Sequence, residues 1–184
     1  MGSISNTFTA ANSPLQIGQK APNFQLISTT PITRQKISLN DFRGLPVILA
    51  FYPSDWSPIC GNFLAHYNKI MPEFKQHHAR LLGISVDNFW SHLAFSRNNN
   101  ICFPLLSDFE PKGSVAKSYG VFDTAAGMCL PALFVINSQG HVHWSHLSPL
   151  EDIPGTHELL EALDLLPKQL AYRSSQEMTP IVSI

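Results

Sequence analysis

The chain is poor in cysteine and contains no apolar run long enough to cross a membrane. Its 184 residues include three cysteines, and a number this small and odd does not provide the disulfide framework that stabilises small secreted domains. No apolar stretch approaches the roughly 20 residues that cross a bilayer, and the first residues lack the basic segment and apolar core of a signal peptide. We therefore expect a cytoplasmic protein in a reducing compartment, without a membrane partner.

The chain also lacks an excess of charge of either sign. Twelve Lys and Arg residues nearly balance thirteen Asp and Glu residues, so no attraction to nucleic acid or to an anionic membrane is expected. Hydrophobic residues make up 44% of the sequence and charged residues 14%, which is typical of a folded chain. We expect one domain at residues 16–167, after a flexible arm, 1–15, and before a tail, 168–184, that is either disordered or docked on a neighbouring subunit.

The apolar pattern predicts strands that alternate with helices. Strands are expected at residues 24–27, 33–39, 46–52, 80–86, 102–106, 131–137 and 142–147. Helices are expected at residues 58–74, 88–98, 113–119 and 156–166. Such alternation implies right-handed crossovers and a layered α/β sandwich, and the last two strands suit an antiparallel pair at its edge.

Cys60 follows the most apolar of these strands, at residues 46–52. Pro53 ends that strand because proline cannot donate to the ladder, whereas Ser57 and Pro58 suit the cap and first turn of the next helix. Cys60 therefore lies in the first helical turn, where free amides and the positive end of the helix dipole favour the reactive thiolate. The alternative, an inert buried cysteine, fits this strand–turn–helix position less well.

The segment around Cys60 resembles a known active-site signature. Pro53-x-x-x-Ser57-x-x-Cys60 is similar to the peroxiredoxin signature Pro-x-x-x-Thr/Ser-x-x-Cys. The longer string that begins at Phe51 resembles the alkyl hydroperoxide reductase/thiol-specific antioxidant family, above all its one-cysteine and bacterioferritin-comigratory-like members. The resemblance covers about residues 17–166. Its further support is Gly18-x-x-Ala21-Pro22-x-Phe24-x-Leu26, Leu82-Gly83-Ile84-Ser85-Val86-Asp87, Phe103-Pro104-Leu105-Leu106-Ser107-Asp108 and Tyr119-Gly120-Val121-Phe122.

The resemblance implies a fold and a chemistry. The fold is a thioredoxin-like three-layer α/β sandwich, in which a mixed central sheet has flanking helices and an N-terminal strand pair. In this family the active cysteine attacks the terminal peroxide oxygen and becomes a sulfenic acid. Cys60 is thus the expected nucleophile, Ser57 the expected hydrogen-bond donor to sulfur or peroxide, and Pro53 the expected shield over the sulfur.

The resemblance also implies the surroundings and partners of Cys60. Trp56, Phe63 and Pro131 are expected to form the pocket wall, and Trp90 is expected in the core or in that wall. The partners would be a peroxide and an external thiol, either a thioredoxin-like protein or a low-molecular-weight thiol, with no bound cofactor. Long apolar stretches, and a family contact surface that would include Phe122, are compatible with a homodimer.

Three positions depart from the family pattern. Pro131 stands where family members place a pocket arginine, Phe63 stands where they often carry Glu or Gln, and Ser91 stands where relatives often have a resolving cysteine. The bond between Leu130 and Pro131 is predicted to be cis, as in thioredoxins, where a cis-proline faces the reactive cysteine. The departures favour two alternatives. In the first, the protein is a redox sensor or interaction protein that lacks fast peroxide turnover. In the second, its substrate is a thiol or disulfide rather than a peroxide.

The other cysteines and the histidines have less specific patterns. Cys129 lies close in sequence to the expected pocket wall, and is a candidate either to resolve the sulfenic acid as a disulfide or to fill the core. Cys102 precedes a strand and is expected in the core, with a resolving role as its alternative. His141, His143 and His146 alternate between two strand faces, so a solvated face is expected there and no metal site is predicted.

Overall fold

The computed structural model describes residues 13–30, 34–149 and 156–167 of the chain. Its strands are β1 (Gln25–Ser28), β2 (Lys36–Ser38), β3 (Val47–Phe51), β4 (Arg80–Ser85), β5 (Leu105–Ser107), β6 (Phe122–Asp123), β7 (Met128–Cys129), β8 (Ala132–Ile136) and β9 (Val142–Leu147). Its helices are α1 (Pro58–Lys69), α2 (Met71–Gln76), α3 (Phe89–Asn98), α4 (Ser114–Ser118) and α5 (Thr156–Asp164). The predicted tail, 168–184, and residues 1–12 of the predicted arm lie outside the described residues.

Seven of the strands form one mixed sheet in the order β2-β1-β5-β4-β3-β8-β9. β3 is an interior strand, parallel to β4 and antiparallel to β8, and β1 and β2 form the predicted N-terminal strand pair. β6 and β7 form a separate ribbon that is too short for the apolar pattern to have revealed it. The arrangement confirms the predicted α/β sandwich with a mixed sheet and an antiparallel edge.

The sheet separates two hydrophobic clusters. All five residues of β3 are buried, and their side chains alternate between the clusters, which explains why this strand shows no polar alternation. The ribbon-side cluster includes Val47, Leu49, Phe51, Val115, Tyr119, Phe122, Cys129 and Phe134. The helix-side cluster includes Ile48, Ala50, Cys60, Phe63, Leu64, Tyr67, Phe74, Phe95 and Leu159. Helices α1, α2, α3 and α5 therefore cover the face of the sheet opposite to α4 and the ribbon.

Two predictions about the helices differ from the structure. The predicted helix at residues 58–74 is two helices, because Pro72 lies in the first turn of α2 and has no amide hydrogen with which to continue α1. The last helix ends at Asp164, two residues earlier than expected. None of the described helices is long and apolar enough to span a bilayer.

Several side chains lie elsewhere than predicted. Cys102, expected in the core, is exposed, because β5 begins only at Leu105. Trp56 and Trp90, expected in the core or the pocket wall, are 57% and 64% exposed, so neither is a core residue. Trp56 lies in the turn before α1, and Trp90 lies in the first turn of α3. Phe122, expected on a contact surface, is buried in the ribbon-side cluster.

Candidate active site

The site begins where β3 ends. The chain leaves the sheet after Phe51, crosses residues 52–57 and enters α1, whose N-cap is Ser57. Cys60 is the third residue of that helix and is only 3% exposed. It packs into the helix-side cluster, which contains Phe63 and Leu64 one turn further along α1. The structure therefore confirms the predicted strand–turn–helix position, but it buries the thiol more deeply than that position alone requires.

Two donors from the preceding segment face the Cys60 sulfur. Burial raises the pKa of Cys60 above its ordinary value, and the Ser54 backbone amide and the Ser57 hydroxyl oppose that rise by hydrogen-bonding the sulfur. The carboxylates of Asp87 and Asp55 add to the rise, because negative charges disfavour a thiolate nearby. The expectation that the helix start makes Cys60 a ready thiolate is therefore not met: desolvation outweighs the donors.

Ser57 uses its hydroxyl differently from an ordinary helix cap. It occupies the N-cap position with extended backbone, yet its side chain makes no capping hydrogen bond, and the hydroxyl faces Cys60 instead. The Cys60 amide donates to the Ser57 carbonyl oxygen at 3.2 Å. The Ser54 amide is thus the backbone donor at the sulfur, and the sequence pattern gave no signal for it.

A buried polar network lies behind this segment, and the sequence interpretation missed it. The Asp55 Oδ1 atom accepts a hydrogen bond from the Tyr52 hydroxyl at 2.8 Å and lies 2.8 Å from His92 Nδ1. Its Oδ2 atom accepts from the Ser91 hydroxyl at 2.7 Å, and its amide donates to Asp87 Oδ2 at 2.9 Å. The only signal in the sequence was the charged Asp55 in the short segment between β3 and α1.

The same network contains the one group of potential metal ligands found among the described residues. Ligand atoms of Asp55, Asp87 and His92 lie within 4.8 Å of one another. Each is already engaged in hydrogen bonds within the protein, so their arrangement is explained without a metal. The three histidines on and beside β9 do not gather into a ligand set in the described chain, and His146 stacks on Trp144 with 5.8 Å between ring centroids.

The residues predicted to form the pocket wall lie in different environments. Phe63 is buried and packs edge-on against Tyr67, with 4.8 Å between ring centroids. Pro53 is half-buried. Trp56 instead lies over α3, where its indole nitrogen donates to the Ser91 hydroxyl at 3.2 Å and its ring meets Phe95 edge-on at 5.4 Å.

Pro131 is buried immediately before β8. Its carbonyl oxygen accepts a hydrogen bond from the Ser148 amide at 2.9 Å, and the preceding Leu130 amide donates to Val121 at 2.8 Å. The predicted cis bond before Pro131 is wrong, since the only cis peptide bond among the described residues precedes Pro111. These two backbone hydrogen bonds, one on each side of the bond between Leu130 and Pro131, are compatible with the trans form that X–Pro bonds prefer.

The three cysteines are free thiols in three different environments. Cys129 belongs to the ribbon-side cluster, whereas Cys60 belongs to the helix-side cluster. Burial raises the pKa of Cys129 strongly, and the Asp108 and Asp87 carboxylates add to the rise. Cys102 is exposed, and both its amide and its sulfur lie 3.0 Å from Asn68 Oδ1.

Comparison with known proteins identifies the family. The model of the AhpC/TSA family matches residues 17–145. The chain belongs to this family, the peroxiredoxins. It is 31% identical over 159 residues to a putative peroxiredoxin of Porphyra purpurea, covering 83% of this peroxiredoxin and 78% of the relative. It is 33% identical over 134 residues to alkyl hydroperoxide reductase E of Mycobacterium tuberculosis, covering 72% and 86% of the two chains.

A solved structure agrees with the fold of this peroxiredoxin. Reduced 2-Cys peroxiredoxin of Plasmodium vivax superposes with a TM-score of 0.75 at 28% identity, covering 82% of this chain and 81% of that one. The similarity confirms the predicted thioredoxin-like arrangement of sheet and helices.

Proposed function

We propose that Cys60 is the nucleophile of a thiol-dependent peroxidase that reduces hydrogen peroxide or alkyl hydroperoxides. The observation that carries the proposal is the position of Cys60, the third residue of α1 after the segment that leaves β3, beside an N-cap, Ser57, whose hydroxyl makes no capping hydrogen bond. Hydrogen bonds from the Ser54 backbone and the Ser57 side chain oppose the rise of the Cys60 pKa. The thiolate attacks the terminal peroxide oxygen, the O–O bond breaks, and the departing oxygen takes a proton and leaves as water or an alcohol. Cys60 is oxidised to a sulfenic acid.

The roles of the neighbouring residues follow from their chemistry. Ser57 has one hydroxyl hydrogen, which it donates to the thiolate before reaction and to a peroxide oxygen as charge moves away from sulfur. Pro53 offers no amide hydrogen and an apolar ring, which suits a wall that keeps water from the sulfenic acid. Pro131 supplies neither charge nor donor, so the turnover of this enzyme is expected to be slower than that of a site with an arginine there.

An external thiol is proposed as the reductant. Cys129 faces the ribbon-side cluster and Cys102 is exposed beside Asn68, which supports a cycle that uses neither. The reductant's thiol attacks the Cys60 sulfenic acid, releasing water and leaving a mixed disulfide. A second thiol then releases the reduced Cys60. Both thioredoxin-like proteins and small thiols supply such groups.

A second function is favoured by a specific observation. The raised pKa of Cys60 and the absence of an arginine at Pro131 both lower the population and the reactivity of the thiolate. Such a cysteine suits a redox sensor or interaction protein that is oxidised only at high peroxide concentration. The two functions differ in one measurable quantity, the rate constant of Cys60 with peroxide.

We also propose a homodimer in the cytoplasm. β9 is an edge strand of the sheet and is paired on its outer side with residues 18 and 19 at Val142. An edge strand offers its remaining backbone groups to a second copy of the same strand. Three free thiols suit a compartment that keeps cysteine reduced. Sedimentation of the reduced full chain at several concentrations tests the dimer, and a monomer at all of them would contradict it.

The test of the peroxidase is stopped-flow tryptophan fluorescence of the reduced chain mixed with hydrogen peroxide. Trp56 lies four residues before Cys60 and is expected to report oxidation. The Cys60→Ser chain is the first control, and Cys102→Ser, which removes an exposed thiol far from the donors, is the matched one. A fast second-order change that survives Cys102→Ser and disappears in Cys60→Ser supports the peroxidase. A Cys60 rate no higher than that of Cys102 would favour the sensor.

A further inference from the structure

Asp55 and His92 have no role in the chemistry described above, yet both side chains are completely buried. Asp55 lies between Ser54 and Ser57, the two residues whose groups face the Cys60 sulfur. His92 lies in the first turns of α3, 37 positions further along the chain. Buried polar side chains are costly unless they are hydrogen-bonded, and these two are bonded to each other and to the segment that carries the donors.

Asp55 is held from three elements at once. Tyr52, at the end of β3, and Ser91, on α3, both donate to its carboxylate, at 2.8 Å and 2.7 Å. Asp87, which follows β4, accepts from its amide at 2.9 Å. The segment of residues 53–57 contains no helix or strand, so these contacts fix its position relative to α1.

His92 closes the network on its other side. Its Nδ1 atom lies 2.8 Å from Asp55 Oδ1, and its Nε2 atom lies 3.2 Å from the Leu106 carbonyl oxygen. Both ring nitrogens thus face oxygen atoms, and Nδ1 also lies 3.2 Å from the Tyr52 hydroxyl. The His92 ring is thereby fixed between α3 and β5, and its contact with Asp55 restricts the position of that carboxylate.

We propose that Asp55 and His92 are a pair of positioning residues, which hold the Ser54 amide and the Ser57 hydroxyl against the sulfur of Cys60. This inference rests on the proposed function, because it assigns the donors a role in peroxide reduction. The pair does not touch the reacting atoms. It acts by fixing the path of residues 53–57, which no regular secondary structure fixes.

The charge of Asp55 makes the proposal testable, because its two effects on Cys60 have opposite signs. As a negative charge, Asp55 raises the pKa of Cys60, so its loss would lower that pKa. As an anchor, it keeps two donors at the sulfur, and losing those donors would raise the pKa. Asp87 is the other carboxylate that raises the pKa of Cys60, and Tyr52 is the remaining titratable group in contact with the pair.

The experiment compares Asp55→Ala with Asp87→Asn, each in the full chain. Asp87→Asn removes the charge, and the side-chain amide oxygen that it introduces still accepts a hydrogen bond from the Asp55 backbone amide. This variant is therefore the matched control for charge alone. The readout is the pH midpoint of iodoacetamide alkylation, measured by mass spectrometry on the Cys60 peptide. This midpoint reports the thiolate whether or not the chain reduces peroxide.

We expect Asp55→Ala to raise the midpoint and Asp87→Asn to lower it. The peroxide rate constant at pH 7 should fall about tenfold or more in Asp55→Ala, since one preorganised donor is typically worth a hundredfold or more. A folded Asp55→Ala chain whose midpoint falls, or stays unchanged, would overturn the positioning role. A wild-type chain that does not react with peroxide would refute the proposed function instead, and the alkylation midpoints would still be readable.

Ser91→Ala covers the case in which Asp55→Ala does not fold. It removes the hydroxyl that donates to Asp55 and accepts from the Trp56 indole nitrogen, and it leaves the Asp55 charge, the His92 contact and the Asp87 contact in place. A rise of the alkylation midpoint in Ser91→Ala that is smaller than the rise expected for Asp55→Ala supports the proposal. An unchanged midpoint in Ser91→Ala together with an unfolded Asp55→Ala would overturn it, because the network would then serve stability alone.

Discussion

Cys60 and Cys129 are both buried, but their side chains belong to clusters on opposite faces of the central sheet. A disulfide requires Cα atoms within about 7 Å and facing Cβ vectors. With the sheet between them, the two thiols meet only if part of the fold opens. This separation of the two thiols predicts how peroxide oxidises the chain.

Peroxide treatment should oxidise Cys60 without joining it to Cys129. We expect a sulfenic acid on Cys60, or a mixed disulfide when a small thiol is present, while Cys129 remains alkylatable after denaturation. Peptide mapping without reduction measures both. Cys129→Ser should keep its turnover with an external thiol. A peptide that contains a Cys60–Cys129 disulfide, together with loss of turnover in Cys129→Ser, would show that Cys129 resolves the sulfenic acid.

Ser57→Ala should separate activity from stability. The Ser57 hydroxyl faces Cys60 and makes no capping bond, so its loss should slow the peroxide reaction on the order of a hundredfold while changing the free energy of unfolding by less than about 0.5 kcal/mol. Stopped-flow rates and urea unfolding measure the two effects.

The matched variant for Ser57→Ala is Asn88→Ala. The Asn88 side chain caps α3 with hydrogen bonds from the amides of Trp90 and Ser91, at 2.9 Å and 3.1 Å. Its removal should cost about 1 kcal/mol of stability and change the peroxide rate far less. Equal losses of stability in the two variants would contradict the conclusion that the Asn88 side chain caps its helix and the Ser57 side chain does not.

The position of Cys60 was predictable because it depends on local signals. An apolar run without alternation, a proline that ends it and a capping residue three positions before the cysteine place the thiol at a helix start without knowledge of the rest of the fold. The sheet was predictable for the same reason, since β3, β4 and β8 each carry their own apolar pattern. The exception is the ribbon of β6 and β7, whose strands have two residues each.

The electrostatics of the site were not predictable from local signals. The raised pKa of Cys60 comes first from burial, and that burial depends on how α1 packs on the sheet and on neighbouring helices. The contact between Asp55 and His92 joins residues that are 37 positions apart. It exists because β3 and β4 are adjacent and parallel, which brings the segments after them to one edge of the sheet.

Pro131→Arg should strengthen the site. An arginine beside Cys60 would favour its thiolate and lower the pKa, by about 1 unit or more for a charge within about 4–6 Å. The rate constant with hydrogen peroxide at pH 7 should then rise about tenfold. Pro131→Gln is the control, because it introduces a polar side chain of similar length without charge. Equal rates in the two variants, with both chains folded, would show that position 131 does not reach the sulfur.

The wild-type rate with peroxide should rise with pH through the neutral range and beyond. The thiolate is the reactive form, and burial raises the pKa of Cys60 above its ordinary value of 9.0. Since the thiolate fraction grows tenfold per pH unit below the pKa, the rate constant should increase from pH 6 to pH 9 without a plateau. Stopped-flow measurements across this range, repeated on Pro131→Arg, test the assignment. A wild-type plateau below pH 8 would contradict the raised pKa and would mean that the donors outweigh desolvation.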